Sequence, residues 1–319
     1  MNESLEECKK KVDGILGKKK LTYSVEQLET QIARKLHRLV LVVSDQNQNK
    51  FIFKYLLIRN PNTEMIFENE LKILAEIADQ PATPFLVNEV IDSALVPDLW
   101  MLTNFVEGKV IGNTYEFEEE YLDEKLLDFI VSSTKFISSL SWSGEGTITP
   151  EFKLADFEKM VAYAKTIPEL ATYYSAVEAL LSGNLDLVKD EKSYLPAHGD
   201  FSPLNILATS DHFSVIDWES FGDNLVGFDL AYAYQRLWRY PDFQKKLETE
   251  IFAQLDVKFH RLFWLQILIF LLVDIRTLSR AIEGNNQAVF HSKNLSMDDF
   301  KDLLQLYQKS FVRVVTDKL

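Results

Sequence analysis

Apolar and polar positions alternate in two different rhythms along this chain, and the change falls near residue 107. The opening is charged, with Lys9-Lys10-Lys11 and Lys18-Lys19-Lys20 set around Val12, Ile15 and Leu16, which predicts a surface helix ending near Gly17. Two β-branched and aromatic runs follow, Arg38-Leu39-Val40-Leu41-Val42-Val43 and Phe51-Ile52-Phe53-Lys54-Tyr55-Leu56-Leu57. The polar cluster Ser44-Asp45-Gln46-Asn47-Gln48-Asn49 lies between them, so the pair reads as an antiparallel hairpin, preceded by a further strand near Tyr23 to Leu28. Ile66, Phe67, Leu71, Leu74 and Ile77 recur at helical spacing and predict a helix over 63–78. Pro84 to Val87 and Leu99 to Val106 read as two more strands, broken at Glu107-Gly108. Beyond that break helical periodicity dominates: 115–140, 154–164, 170–181, 228–282 and 297–315, with one island of strands and loops from Leu195 to Asp223. The pattern predicts an α+β chain with a small β-rich lobe over 1–107, a hinge near 104–107 and a larger helical lobe over 108–319.

Composition changes this picture little. Apolar residues make up 47% of the 319 and charged residues 26%, ordinary for a globular protein large enough for two cores. The net charge of -14 argues against a nucleic-acid binder and is compatible with a cationic substrate. Cys8 is the only cysteine, which excludes an internal disulfide and a cysteine-based zinc site, and the five histidines show no metal-ligand spacing. The start lacks the basic-then-apolar order of a secretion signal. The run from Leu262 to Val273 is interrupted by Gln266 and is too short to span a bilayer. The expectation is a soluble cytoplasmic protein with no membrane partner.

Chemistry concentrates in His198-Gly199-Asp200-Phe201-Ser202-Pro203-Leu204-Asn205, followed by Ile216-Asp217-Trp218-Glu219 with Asp217 twelve residues after Asn205. This spacing suits a Mg-ATP phosphotransferase: one carboxylate, Asp200, to orient and deprotonate an attacking hydroxyl, and Asn205 with Asp217 to offer magnesium hard oxygen ligands. Residues 205–208 and 213–216 predict a hairpin across Thr209-Ser210-Asp211-His212 that returns residue 217 to the end where residue 205 lies. Taken singly, each of these residues also suits an ordinary turn or strand end.

The chain resembles the aminoglycoside phosphotransferase and choline kinase superfamily, small-molecule relatives of protein kinases. His198-Gly199-Asp200 with Asn205 is similar to its catalytic loop, Ile216-Asp217-Trp218-Glu219 to its metal-binding strand end, and Gly227-Phe228-Asp229-Leu230-Ala231 to the opening of its next helix. The resemblance implies a bilobal protein-kinase-like fold using ATP and Mg. It implies Asp200 as catalytic base and Asn205 and Asp217 as metal ligands. Lys54 would neutralise the α- and β-phosphates, held by Glu70 with Glu68 as competitor. Asn104-Phe105-Val106-Glu107 would be the hinge, where main-chain groups of Asn104 and Val106 meet the adenine edge. His198 would brace the loop by hydrogen bonds, and Asp229 would serve structure from a helix start; the role of Glu219 stays open.

Two departures stand out. The segment Gln31-Ile32-Ala33-Arg34-Lys35-Leu36-His37 contains no glycine where a phosphate-covering loop is expected, leaving Arg34 or Lys35 to substitute by charge. Ser202 stands where protein-directed kinases carry lysine, and only eleven residues separate Asp217 from Asp229. Both features favour a small-molecule hydroxyl acceptor over a protein. Aminoglycoside, choline or ethanolamine, amino-acid and sugar alcohols all remain open. The wording Gly227-Phe228-Asp229 leans to the choline kinase branch and His-Gly-Asp to the aminoglycoside branch. Tyr232, Tyr234, Trp238, Tyr240 and Trp264 suit either a quaternary ammonium or a helical core. The acids Glu116, Glu118-Glu119-Glu120 and Asp123-Glu124 suit either a polyamine or a solvated face. Two other readings stay open as well: a kinase-fold binding protein without turnover, and transfer of AMP instead of phosphate.

Overall fold

The computed structural model describes residues 5–33, 37–142, 149–284 and 295–319. Its contacts gather the chain into two compact units. Among the described residues, the first takes those through Lys109 together with the later segment Leu207–Phe221; the second takes the rest.

The first unit is built on a five-stranded sheet in the order β1-β2-β3-β5-β4: β1 (Thr22–Tyr23), β2 (Arg38–Ser44), β3 (Lys50–Leu56), β4 (Val90–Ala94) and β5 (Trp100–Asn104). The predicted hairpin is present as β2 against β3, Leu41 opposite Phe53 and Val40 opposite Lys54. Alternation puts Leu39, Leu41, Val43, Phe53 and Tyr55 into one core. The opening helix α1 (Leu5–Lys18) ends where the sequence suggests, but it is no mere surface element. Cys8, Val12 and Leu16, four apart, form a stripe wholly buried against that same core.

The strand expected at Tyr23–Leu28 is corrected by the structure. Only Thr22–Tyr23 pairs, and α2 (Val25–Ala33) begins at once. The Ser24 side chain accepts the Gln27 N–H at 3.3 Å, and Leu28 fills the core, so helix capping and a helical apolar stripe prevail over β-propensity. The expected strand at 84–87 reduces to one bridge between Leu86 and Ser214, and β4 begins at Val90 instead. The predicted 63–78 helix is α3 (Pro61–Ala78). Asn60 caps it by accepting from the N–H groups of Asn62 and Thr63, while the Thr63 hydroxyl accepts from Asn60.

In the second unit the helices are α4 (Glu124–Ile137), α5 (Pro150–Ala164), α6 (Tyr174–Ser182), α7 (Leu185–Lys189), α8 (Phe228–Gln235), α9 (Pro241–Gln254), α10 (His260–Glu283) and α11 (Met297–Lys318). The single helix expected over 115–140 starts only at Glu124, capped by Asp123, because a turn of 3-10 helix at Glu119–Tyr121 precedes it. The remaining short strands are β6 (Lys109–Val110), β7 (Tyr194–Ala197), β8 (Ile206–Ala208), β9 (Phe213–Val215) and β10 (Gly222–Leu225); of these β7 and β10 lie wholly in the second unit and β9 in the first. β7 pairs antiparallel with β10, and β8 with β9 forms the predicted hairpin. The apolar run at 262–273 continues to Glu283, so the stretch Val257–Glu283 is long and apolar enough to cross a membrane by length and composition. Of its most apolar window, with mean hydropathy 1.8, 72% is buried within the protein, chiefly against α11 and α8.

Candidate active site

In the first unit a cluster of charge forms on the face of the sheet opposite the core. Phe53 and Tyr55 point inward, so Lys54 between them points the other way. Its Nζ pairs with Glu70, which α3 buries almost completely, and lies 3.1 Å from Asp217 Oδ1. Glu68, the competitor, is half-buried and is not the residue paired with Lys54. Burial opposes the lysine's charge, yet Glu70 and Asp217 outweigh both burial and the neighbouring Arg38 and hold its pKa above the ordinary lysine value.

Asp217 follows β9 in a left-handed conformation, φ 63°, which few residues other than glycine adopt. That turn aims its carboxylate at the cations. Arg38 Nη2 lies 3.1 Å from Oδ1 and 3.2 Å from Oδ2, and Nη1 of the same guanidinium pairs with Glu219. The segment Trp218–Ser220 packs on α3, and the ring of Trp218 lies tilted against Phe85 with centroids 5.8 Å apart. Arg38 escapes motif reading because its role depends on strand register. It opens β2 on the strand face that carries Val40, whose partner across the ladder is Lys54.

The two hinge residues are placed differently. Asn104 ends β5 with its N–H donated to Glu89 O at 3.1 Å and its carbonyl accepting from Asn88 Nδ2 at 2.9 Å. Val106 lies in the irregular segment beyond it. Of the glycine-free stretch, Gln31 to Ala33 end α2, where the Gln31 carboxamide accepts the Val40 N–H at 3.2 Å; Arg34 and Lys35 lie outside the described residues.

In the second unit, β7 feeds the loop from His198 to Asn205. Gly199 takes φ 81°, a region where a side chain is strained. The loop is fixed from α8: Asp229 accepts the N–H of His198 at 2.7 Å and that of Gly199 at 3.1 Å. Burial pushes the Asp229 carboxyl up to about 7 in spite of those two donors, and the nearby Asp200 adds to the rise. His198 is fully buried and braces the loop, its Nδ1 accepting the Asp200 N–H at 3.3 Å. Asn205 Nδ2 donates to Asp200 Oδ2 at 2.9 Å and to its carbonyl at 3.0 Å, so Oδ1 is the atom Asn205 can offer a cation. A carboxylate and a carboxamide oxygen are hard donors of the kind magnesium takes, with phosphate oxygens and water completing its shell.

The aromatic candidates divide. Tyr234, Trp238 and Trp264 are buried, and Tyr234 meets both indoles edge to face with centroids 5.6 Å apart, so they are core. Tyr232 is half-buried, and Arg236 lies 4.5 Å from its ring, so that face already holds a cation from the protein. Tyr240 is half-buried too. Among the acids, Glu116 pairs with Arg239 and Glu124 with Lys246, while Asp123 caps α4.

No functionally curated protein matches this chain by sequence. Solved structures do match it in fold. An aminoglycoside phosphotransferase, APH(4)-Ia, is 11% identical, with a TM-score of 0.60 over 99% of this chain and 100% of that one. The choline kinase LicA from Streptococcus pneumoniae is 16% identical, with a TM-score of 0.53 over 87% and 89%. A spectinomycin phosphotransferase, APH(9)-Ia, solved with ADP and spectinomycin, is 12% identical, with a TM-score of 0.52 over 93% and 92%. The fold is thus the protein-kinase-like one these enzymes share. A family model for phosphotransferase enzymes matches residues 30–261, from the end of α2 into α10, and the chain belongs to that phosphotransferase enzyme family.

Proposed function

We propose that this protein moves the γ-phosphoryl group of ATP to a hydroxyl of a small molecule in a magnesium-dependent reaction. The observation that carries the reading is the held geometry of Asp200, gripped by Asn205 through its side chain while Asp229 fixes the two residues before it. A carboxylate so positioned is suited to orient the acceptor hydroxyl and take its proton. Lys54, kept charged by Glu70, suits the α- and β-phosphates, and the Val106 main chain suits the adenine edge, since Asn104 has committed its own main-chain groups. Asn205 and Asp217 are the residues that would hold magnesium, which when bound neutralises phosphate charge. Catalysis then rests on positioning and charge, with no covalent enzyme intermediate.

The short path of eleven residues from Asp217 to Asp229 supports a small acceptor over a protein. So does the likeness to structures named for choline and spectinomycin. The test is ATP consumption over a panel of choline-type, aminoglycoside, amino-acid and sugar alcohols, with product masses measured. One acceptor should stimulate turnover and gain a phosphate, and Asp200→Ala should lower the rate by about a thousandfold. Silence across the panel would favour a binding protein without turnover, and turnover that survives the substitution would sink the role given to Asp200. An acceptor heavier by AMP would point to nucleotidyl transfer.

A further inference from the structure

We infer that Arg38 is a nucleotide-phosphate ligand standing in for the glycine-rich loop, parked on Asp217 and Glu219 until magnesium and nucleotide arrive. The inference rests on the phosphotransferase reading and concerns a residue that reading does not use. Where a glycine loop would present main-chain N–H groups, the sequence carries no glycine; the described part of that stretch begins with the end of α2 at Ala33, and β2 starts with Arg38. The Arg38 side chain is about one-fifth exposed and its guanidinium is held by two carboxylates: one nitrogen spans both oxygens of Asp217 and the other pairs with Glu219. Nη2, hydrogen-bonded to both Asp217 oxygens, competes there with a metal ion.

The surroundings allow the exchange. A cavity of about 350 Å³ in the same unit is lined by Arg38, Gln31, His37, Glu70 and Glu219, with Val40 and Phe67 among its apolar walls, giving the side chain room to turn. Glu219 anchors Nη1, so the move is a pivot about one ion pair. Charge sets the order. Lys54 and Arg38 face Glu70, Asp217 and Glu219, two cations against three carboxylates, which leaves one negative charge. Phosphate is repelled by that excess. With a divalent cation bound the sign would be reversed, and Arg38, released from Asp217, would offer phosphate oxygens a planar set of donors.

The experiment measures Mn2+ binding without nucleotide, by paramagnetic resonance, and Mg-ATP binding by calorimetry, in the full-length wild type, Arg38→Ala and Arg38→Lys. Arg38→Ala should bind Mn2+ alone several-fold more tightly, its competitor gone, and Mg-ATP about tenfold more weakly. Arg38→Lys, a point charge without the fork, should recover part of the nucleotide affinity. Opposite signs for metal and nucleotide are the signature; a residue serving structure alone would weaken both together, and that result overturns the inference. Unchanged Mg-ATP binding in Arg38→Ala, beside a wild type that binds it, overturns the role of Arg38 and leaves the phosphotransferase reading standing. A wild type that binds no Mg-ATP at all overturns both.

Discussion

Lys153 shows how much a single residue's surroundings can say. It sits on α5 at the helical spacing of Phe157 and Met160, both core residues, and is itself only 8% exposed. Its Nζ lies 3.1 Å from Asn224 Oδ1 and 4.4 Å from the Phe228 ring. Burial pushes its pKa down to about 8 from the ordinary 10.5, with Asp156 opposing. Below about 8 the lysine is charged in both folded and unfolded chains and folding bears the full cost of burying that charge. Between about 8 and 10.5 the unfolded chain binds the extra proton, so stability rises with pH across that window. The gain is roughly 3 kcal/mol in all. Urea midpoints of the wild type relative to Lys153→Met should therefore improve from pH 8 to pH 10.5. A difference that stays constant with pH would contradict the buried charge. Neither Lys153 nor Arg38 is legible as a functional signal in the sequence, because each acquires meaning from what folds against it. Asp200, Asn205 and Asp217 stand out in the sequence as candidates, since one contiguous loop holds the first two and a short hairpin leads to the third.

At the scale of elements, periodicity serves the long helices well and fails at short strands. Val25, Leu28 and Ile32 fit a helix better than a strand, and the Ser24 cap decides between them; a β-rich neighbourhood obscures both signals. Pairing partners distant in sequence, such as Leu86 with Ser214, leave no local mark at all. Gly112 is another element-scale device that composition hides. A Cβ there would lie 2.2 Å from the Glu116 carbonyl and 2.7 Å from Pro203 Cβ. Gly112→Ala must therefore spread the turn at 112–117 away from Pro203, two residues before Asn205. Chemical denaturation should show a loss of about 2 kcal/mol. Turnover should fall with it if the shift reaches the Asn205 to Asp200 hydrogen bond. An unchanged denaturation midpoint would show that the turn is slack.

Across the whole molecule, the α+β class and the order of elements are readable from texture, because a β-rich stretch precedes a helical one. The sequence does not show that Leu207–Phe221 belongs with the first unit, because compactness depends on contacts between residues far apart along the chain. The net charge of -14 acts at this scale too. Self-repulsion weakens as salt rises toward about 0.15 M, where fields are screened over about 8 Å. The thermal midpoint by calorimetry should climb over that range, and a fall would mean that ion pairs such as Arg38 with Asp217 outweigh the general repulsion. The discontinuous first unit also bears on synthesis. Trp218, the pairing partner of Leu86 and Asp217, the second acid that Lys54 meets, all lie more than a hundred residues beyond Lys109. As the ribosome extends the chain, the five strands of the early sheet are all made by Asn104, but the segment that packs on α3 arrives only when residue 221 has emerged, so a fragment ending at Lys109 would leave one side of α3 uncovered.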